Sequence, residues 1–355
     1  IRPSETQNPT PIVAVNTDTL EAVLQGLGKA AIDWAGRNGF KADAGRHLLV
    51  PVDNEAGAAV LAGVTEAGSG DPFILGKLSS GLSAGDYLLP DDFPDLEYVV
   101  LGFALSSYRF EKYRAREAKP VRLVVPDSVD LNRIGYILDG VGLTRDLINT
   151  PANDMGPEEL AAAIHDLFER HGGAGEVVVG DDLLKRGFPM VHAVGAASTR
   201  APRLADYTWG KEDAPKVTLV GKGVIFDTGG LDLKPASAML LMKKDMGGAA
   251  NVLGLASMIM AANLPVRLRV IVPCVENAVA GDAFRPGDVL QSGTSGGTGA
   301  GRVERASGSG YLIDGETITA NIEGIGSLTH TVRQETSVPD DLSGSQLPPV
   351  SSYRE

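Results

Sequence analysis

The chain has 355 residues, 43% of them hydrophobic, enough for two domains that each bury a core. Its formal net charge of −13 argues against a nucleic-acid backbone or an anionic membrane as the main partner. No apolar run reaches about 18 residues, no signal-peptide pattern is present, and the single Cys274 fits a reducing compartment, so the expected location is the cytoplasm.

In chain order, residues 1–11 are polar with three prolines and read as a loose, disordered arm. Leu20, Val23, Leu24, Leu27, Ala31 and Trp34 recur at three- and four-residue steps, which predicts one helix over 19–37. Residues 47–52, 58–64 and 121–125 read as strands and 98–105 as a further apolar element. Together they predict a small N-terminal α/β domain over 12–127 with no chemical constellation of its own. The basic residues Arg109, Lys112, Arg114, Arg116 and Lys119 alternate with Glu111 and Glu117, as on the solvated face of an interdomain connector.

A larger α/β domain is expected over 128–290. Residues 131–147 have helical periodicity; Pro151 ends that helix and Pro157 opens the next, with Glu158 and Glu159 against its positive dipole end. Strands are expected at 176–179, 191–194 and Arg203–Trp209, with a helix from Asp181. The run 217–226 reads as one buried strand whose centre carries Lys222, ending at Asp227 and the turn Thr228-Gly229-Gly230, with Lys234 before Pro235. Asp245 precedes a small-residue start that opens a helix to about Ala262, followed by a buried strand over 266–274 containing Cys274, a core residue on this pattern. Strands alternating with helices predict a mostly parallel central sheet with helices on both faces. Thr317–Ile322 and 327–332 read as short strands of a β-rich tail over 291–335, and 336–355 as disordered.

Two lysines and two aspartates thus stand at or beside element ends, next to glycines that permit close backbone approach. Loops at the carboxyl ends of parallel strands are where α/β proteins place their sites. Carboxylates with lysine suit a divalent Mg, Mn or Zn ion, since a lysine amine ligates once burial and the cation depress its pKa. The alternative is a buried Lys–Asp pair plus a surface lysine. The five histidines form no His-x-x-x-His pair, and no Cys-x-x-Cys or Gly-x-Ser-x-Gly occurs, so any metal must be held chiefly by carboxylates.

The segments VGKGVIFDTGGLDLKP, MKKDMGGAA and ENAVAGDAFRPGDVL, with RDLINTPAN before them, resemble the leucyl (cytosol) aminopeptidase family over about residues 12–290. The resemblance implies a two-metal exopeptidase, homohexameric and cytoplasmic, with Mn or Zn as cofactor and peptides as substrates. It places Lys222, Asp227 and Asp245 at metal-ligand positions and Lys234 at the catalytic position that polarises the substrate carbonyl. Met242 falls where the family lines the pocket for the first side chain, with a leucine-type preference. The family's Asp-Ala-Glu-Gly-Arg segment, which completes both metal sites, is absent from the chain. Arg302, Glu304 and Asp314 are the nearest substitutes in sequence, without the family's spacing. From about residue 287 to 335, SGTSGGTGAG and YLIDGETITANIEGIGSLTHTV instead resemble the end of the fumarylacetoacetate hydrolase family. The combined expectation is a metal-dependent aminopeptidase of reduced activity, holding one ion or none, with no nucleic-acid or membrane partner. The alternatives are a non-catalytic scaffold and, from the tail alone, a C–C bond hydrolase.

Overall fold

Chemistry-bearing residues are positioned by two sheets in one compact unit, Ile1–Val289; a second unit spans Leu290–Glu355. The structure is a computed structural model that describes residues 1–53, 57–65, 71, 73–115, 120–278, 317–322 and 326–331.

The first sheet has the order β2–β3–β1–β4–β5. Its strands are β1 (Thr10–Val15), β2 (His47–Pro51), β3 (Ala58–Gly63), β4 (Gly85–Leu88) and β5 (Val121–Val124). All neighbours are parallel except β2 and β3. Helices α1 (Leu20–Leu27) and α2 (Lys29–Arg37) follow β1, and α3 (Leu78–Gly81) and α4 (Leu96–Ser106) flank β4. Each face carries its own core, one around Val15, Val50 and Leu61, the other around Ile12, Leu75, Leu89 and Phe103.

Three details of this half differ from the sequence expectation. The helix over 19–37 is two helices, because Gly28 adopts φ +103° and breaks the hydrogen-bond ladder despite continuous apolar spacing. Residues 1–11 are pinned rather than loose. Ile1 N donates to Leu123 O, Val125 N–H donates to Ile1 O, and the Arg2 guanidinium donates to Pro126 O and Val129 O. Residues 10 and 11 also begin β1, the middle strand of the sheet.

Helix α5 (Leu131–Asn149) opens the larger half, capped by Asp130, whose carboxylate accepts from the N–H groups of Asn132 and Arg133. It packs on α10 (Gly247–Ala261) through facing glycines: a Cβ on Gly140 would fall 2.6 Å from Gly254 O. Thr144 Oγ1 donates across the same contact to Ala250 O at 3.0 Å.

The second sheet is built on β10 (Arg267–Asn277). β7 (Arg203–Trp209) lies antiparallel to β10, and β6 (Ala174–Val179) antiparallel to β7. On the other edge of β10 lie β8 (Lys216–Val220) and β9 (Gly223–Asp227), both parallel to it. Leu268, Val270, Val272 and Cys274 of β10 face the core shared with α5, α6 (Pro157–Arg170) and α10. Ile271 faces the opposite side, against Leu183 of α7 (Asp182–Lys185) and Val191 of α8 (Pro189–Gly195). Helices therefore cover both faces of the sheet, as α/β architecture requires.

Residues 191–194, expected as a strand, are helical. Pro189 stands in the first turn with its φ preset, and Val191 packs down onto β6 and β7. The expected single strand over 217–226 is two strands, broken at Gly221-Lys222, and both follow β10. The second unit carries an antiparallel hairpin of β11 (Thr317–Ile322) and β12 (Gly326–Thr331). Among the described residues no helix is long and apolar enough to cross a membrane.

Candidate functional site

The gap between β8 and β9 lies opposite Pro273 of β10, which has no N–H to give the ladder, and the pairing register is the same on both sides. A Cβ on Gly221 would lie 2.6 Å from Ala249 Cα, so only glycine lets the first turn of α10 come this close. The approach is fastened by Ala249 N–H, which donates to Lys222 O at 2.9 Å. Lys222 is thereby turned out of the sheet: its side chain is 43% exposed and its ammonium lies 3.2 Å from Asp245 Oδ1. Asp245 sits in a 3₁₀ turn, Met242–Met246, after the short helix α9 (Ala236–Met239) and immediately before α10.

Asp227 ends β9 as a buried residue. Its Oδ1 accepts from Gly229 N–H at 2.9 Å and from Asn277 Nδ2 at 2.7 Å, and its Oδ2 pairs with the Lys234 ammonium at 2.9 Å. The turn carrying Lys234 back requires left-handed backbone at Gly229 (φ +90°), where a Cβ would strike Asp232 O at 2.2 Å. Lys234 N–H closes the turn onto Thr228 O. The structure thus brings the four charged candidates together as two lysine–aspartate pairs, one at each end of β9. The surface lysine of the alternative reading is itself paired.

Burial works against the charged form of Asp227. Lys234, Gly229 N–H and the Asn277 amide outweigh it and hold the carboxyl below its ordinary range. Asp245 differs, since its Oδ2 is buried and finds no hydrogen-bond partner among the described residues. Such an oxygen is costly in a protein interior, and it is the vacant acceptor that a cation ligand offers.

Met242 is half-buried at the start of the 3₁₀ turn. That turn is tied to the loop after α5, because Lys243 Nζ donates to Asn149 O at 2.9 Å. The loop is held in turn by Arg200, which donates to Ala152 O and Asn153 O, and by Tyr108, which accepts from Asn149 Nδ2. Sequence reasoning missed Asn277, although it lies in the segment ENAVAGDAFRPGDVL. Arg302, Glu304 and Asp314 lie outside the described residues, as do 279–290 with most of that segment. The described residues also place His165, Asp166 and Glu169 close together on the exposed side of α6, away from these pairs in sequence and element.

An α/β protein with lysine–carboxylate pairs at the ends of one parallel strand is defined by these observations. Residues 10–126 match the M17 aminopeptidase N-terminal domain, and residues 142–298 match the cytosol aminopeptidase family, catalytic domain. Over those residues the chain belongs to the cytosol aminopeptidase family. Residues 268–333 match the fumarylacetoacetate (FAA) hydrolase C-terminal family, a match that overlaps the catalytic-domain match over 268–298. A probable cytosol aminopeptidase of Corynebacterium diphtheriae is 41% identical over 208 residues, covering 55% of this chain and 41% of the relative. One from Rhizobium meliloti is 36% identical over 276 residues, covering 69% of this chain and 55% of the relative. The chain thus spans about half the length of these curated relatives. The crystal structure of cytosol aminopeptidase from Coxiella burnetii superposes with a TM-score of 0.74 at 44% identity, covering 81% of this chain and 63% of that one. The bottromycin maturation enzyme BotP in complex with Mn gives a TM-score of 0.65 at 28% identity, covering 79% and 62%.

Proposed function

We propose that this chain is a metal-dependent aminopeptidase that releases amino-terminal residues from peptides with a leucine-type preference, at a turnover below that of its longer relatives. The observation that carries the reading is the pairing of Lys222 with Asp245 and of Lys234 with Asp227 about one strand, with Asp245 Oδ2 buried and unpartnered among the described residues. The family is metal-dependent, and the structure of BotP was solved with Mn. The donor set fits such an ion, with two carboxylates and a lysine amine on backbone that glycines allow to approach closely.

Lys222, Asp227 and Asp245 would hold the ion, Mn or Zn. A bound divalent ion polarises a carbonyl and makes water a stronger acid. The remaining work belongs to the chain itself. Lys234, oriented by Asp227 Oδ2, presents an ammonium donor to a carbonyl oxygen as negative charge builds there. Being fixed before the reaction, that donor needs no reorganisation when the charge appears. Met242 supplies an adaptable apolar wall for the first side chain. Lys243 and Asn149 keep the turn carrying Met242 and Asp245 in place.

Reduced turnover follows from the sequence after Leu290. The family's Asp-Ala-Glu-Gly-Arg does not occur, and the residues there match a different family. The test is hydrolysis of leucine p-nitroanilide by the full chain, with Mn added and then chelated. Slow, Mn-dependent release is expected. Release indifferent to chelator would overturn the reading, and no release from folded protein would leave a scaffold of aminopeptidase ancestry. The match over 268–333 favours a second reading for the tail, C–C bond hydrolysis of a β-diketo acid, and product release from an acylpyruvate would support it.

A further inference from the structure

We infer that Asn277 is a positioning residue of the metal site, which fixes the Asp227 carboxylate so that only Oδ2 is presented to a cation. The inference rests on the reading of Asp227 as a metal ligand.

The placement of Asn277 begins with an irregularity in the sheet. Along the β9–β10 pairing Cys274 faces Gly223 and Val275 faces Val224, but Asn277 faces Asp227. Two steps along β10 are matched by three along β9, so β9 holds one extra residue. In regular pairing Asn277 would face Phe226. A one-residue slip exchanges the faces of a strand, and bulges re-aim side chains beside active sites. The bulge is therefore what brings the amide of Asn277 against the carboxylate of Asp227.

The hydrogen bonds divide the two oxygens of Asp227 between different tasks. Oδ1 takes Asn277 Nδ2 at 2.7 Å and Gly229 N–H at 2.9 Å, so it is occupied by two neutral donors. Oδ2 is left to Lys234. The backbone of Asn277 holds the following turn independently of its side chain. Its carbonyl accepts Thr228 N–H at 2.9 Å and Thr228 Oγ1 at 2.8 Å. Removing the side chain therefore leaves the turn tethered and takes from Oδ1 one of its two donors, Gly229 N–H remaining.

The amide orientation follows from the charge it faces, since its oxygen turned toward the carboxylate would be repelled. The other end then carries a cost: Asn277 is 2% exposed, and its Oδ1 has no partner among the described residues. A leucine, branched alike with the same number of heavy atoms, would leave no polar atom of its own unsatisfied. An amide here is poorly explained by packing alone and well explained by orientation of Asp227. It is also a neutral donor, so it orients Oδ1 without adding to the positive charge that Lys234 already places beside Oδ2.

The test is Mn²⁺ binding to the full chain, by titration calorimetry and by the electron paramagnetic resonance signal of free Mn²⁺. Wild type, Asn277→Leu and Asn277→Ser are compared, each shown to be folded by circular dichroism. Removing an outer partner of a metal ligand typically weakens binding about 10–100-fold, and that loss is expected for both variants. A packing role alone would shift the melting temperature of the metal-free protein and leave the affinity of folded molecules unchanged. Should Asn277→Leu fail to fold, Asn277→Ser, whose site water can enter, carries the comparison. Wild-type affinity in a folded variant would overturn the positioning role while leaving the metal reading intact. Absence of Mn²⁺ binding by the wild-type chain would overturn both.

Discussion

Replacing Lys234 with methionine separates charge from bulk at the better defined of the two pairs. Methionine keeps an unbranched stem of similar reach and removes the ammonium 2.9 Å from Asp227 Oδ2. The side chains are 28% and 13% exposed for Lys234 and Asp227, so the pair lies between two limits. Exposed pairs contribute about 0–1 kcal/mol. Removing one partner of a fully buried pair costs about 3–5 kcal/mol, because the other charge is stranded. Asp227 keeps its donors from Gly229 and Asn277, which lowers the cost, and about 1–3 kcal/mol is expected at neutral pH. The pH dependence has a definite sign. The folded-state pKa of Asp227 is depressed, so its contribution is present above the unfolded carboxylate value of about 4 and is lost as pH falls through the folded value. In Lys234→Met the largest charge partner is gone while burial still opposes ionisation, so the variant loses less stability on acidification. Urea unfolding with chelator present, followed by tryptophan fluorescence at pH 7 and at steps down to pH 3, measures both effects. Equal midpoints at pH 7, or a difference that stays constant through the acid range, would refute the assignment.

Two further outcomes bear on the frame around the site. Burial pushes the Cys274 thiol up to about 12, and the residue is fully buried in β10, so Ellman's reagent should label it only after unfolding; labelling of folded protein at the unfolded rate would contradict this. Gly221→Ala sets a Cβ 2.6 Å from Ala249 Cα, a backbone atom that cannot swing aside, so the urea midpoint should fall by an amount equivalent to about 1–3 kcal/mol, and an unchanged midpoint would show that α10 does not dock this closely.

What was legible in the sequence and what was not follow from the range of the forces involved. Helix α5 is announced locally, by apolar periodicity and the proline after Thr150, and it forms where expected. The same periodicity carries no warning that Gly28 will take a left-handed φ, since that depends on where the chain must go next. Strand β1 begins with Thr10-Pro11, an unfavourable opening for a central strand. It is tolerated because Pro11 pairs only with β4, and the pairing with β3 starts at Ile12. β4 has four residues and no alternation long enough to register as a strand. In α8, residues 191–194 favour a strand by composition, and the preset turn at Pro189 with the apolar face beneath overrides them.

The site shows the same division. Lys222, Asp227, Lys234 and Asp245 stand out in the sequence because charges at strand and helix ends beside glycines need a reason to be there. Which lysine meets which aspartate does not stand out, because it depends on α10 docking against Gly221 and on the Gly229 turn folding Lys234 back. Asn277 was least visible of all. Nothing local distinguishes it from an ordinary strand-end asparagine, and it faces Asp227 only because β9 carries one more residue than β10 across the pairing. A contact created by register is a property of two strands together, so neither strand's own sequence announces it.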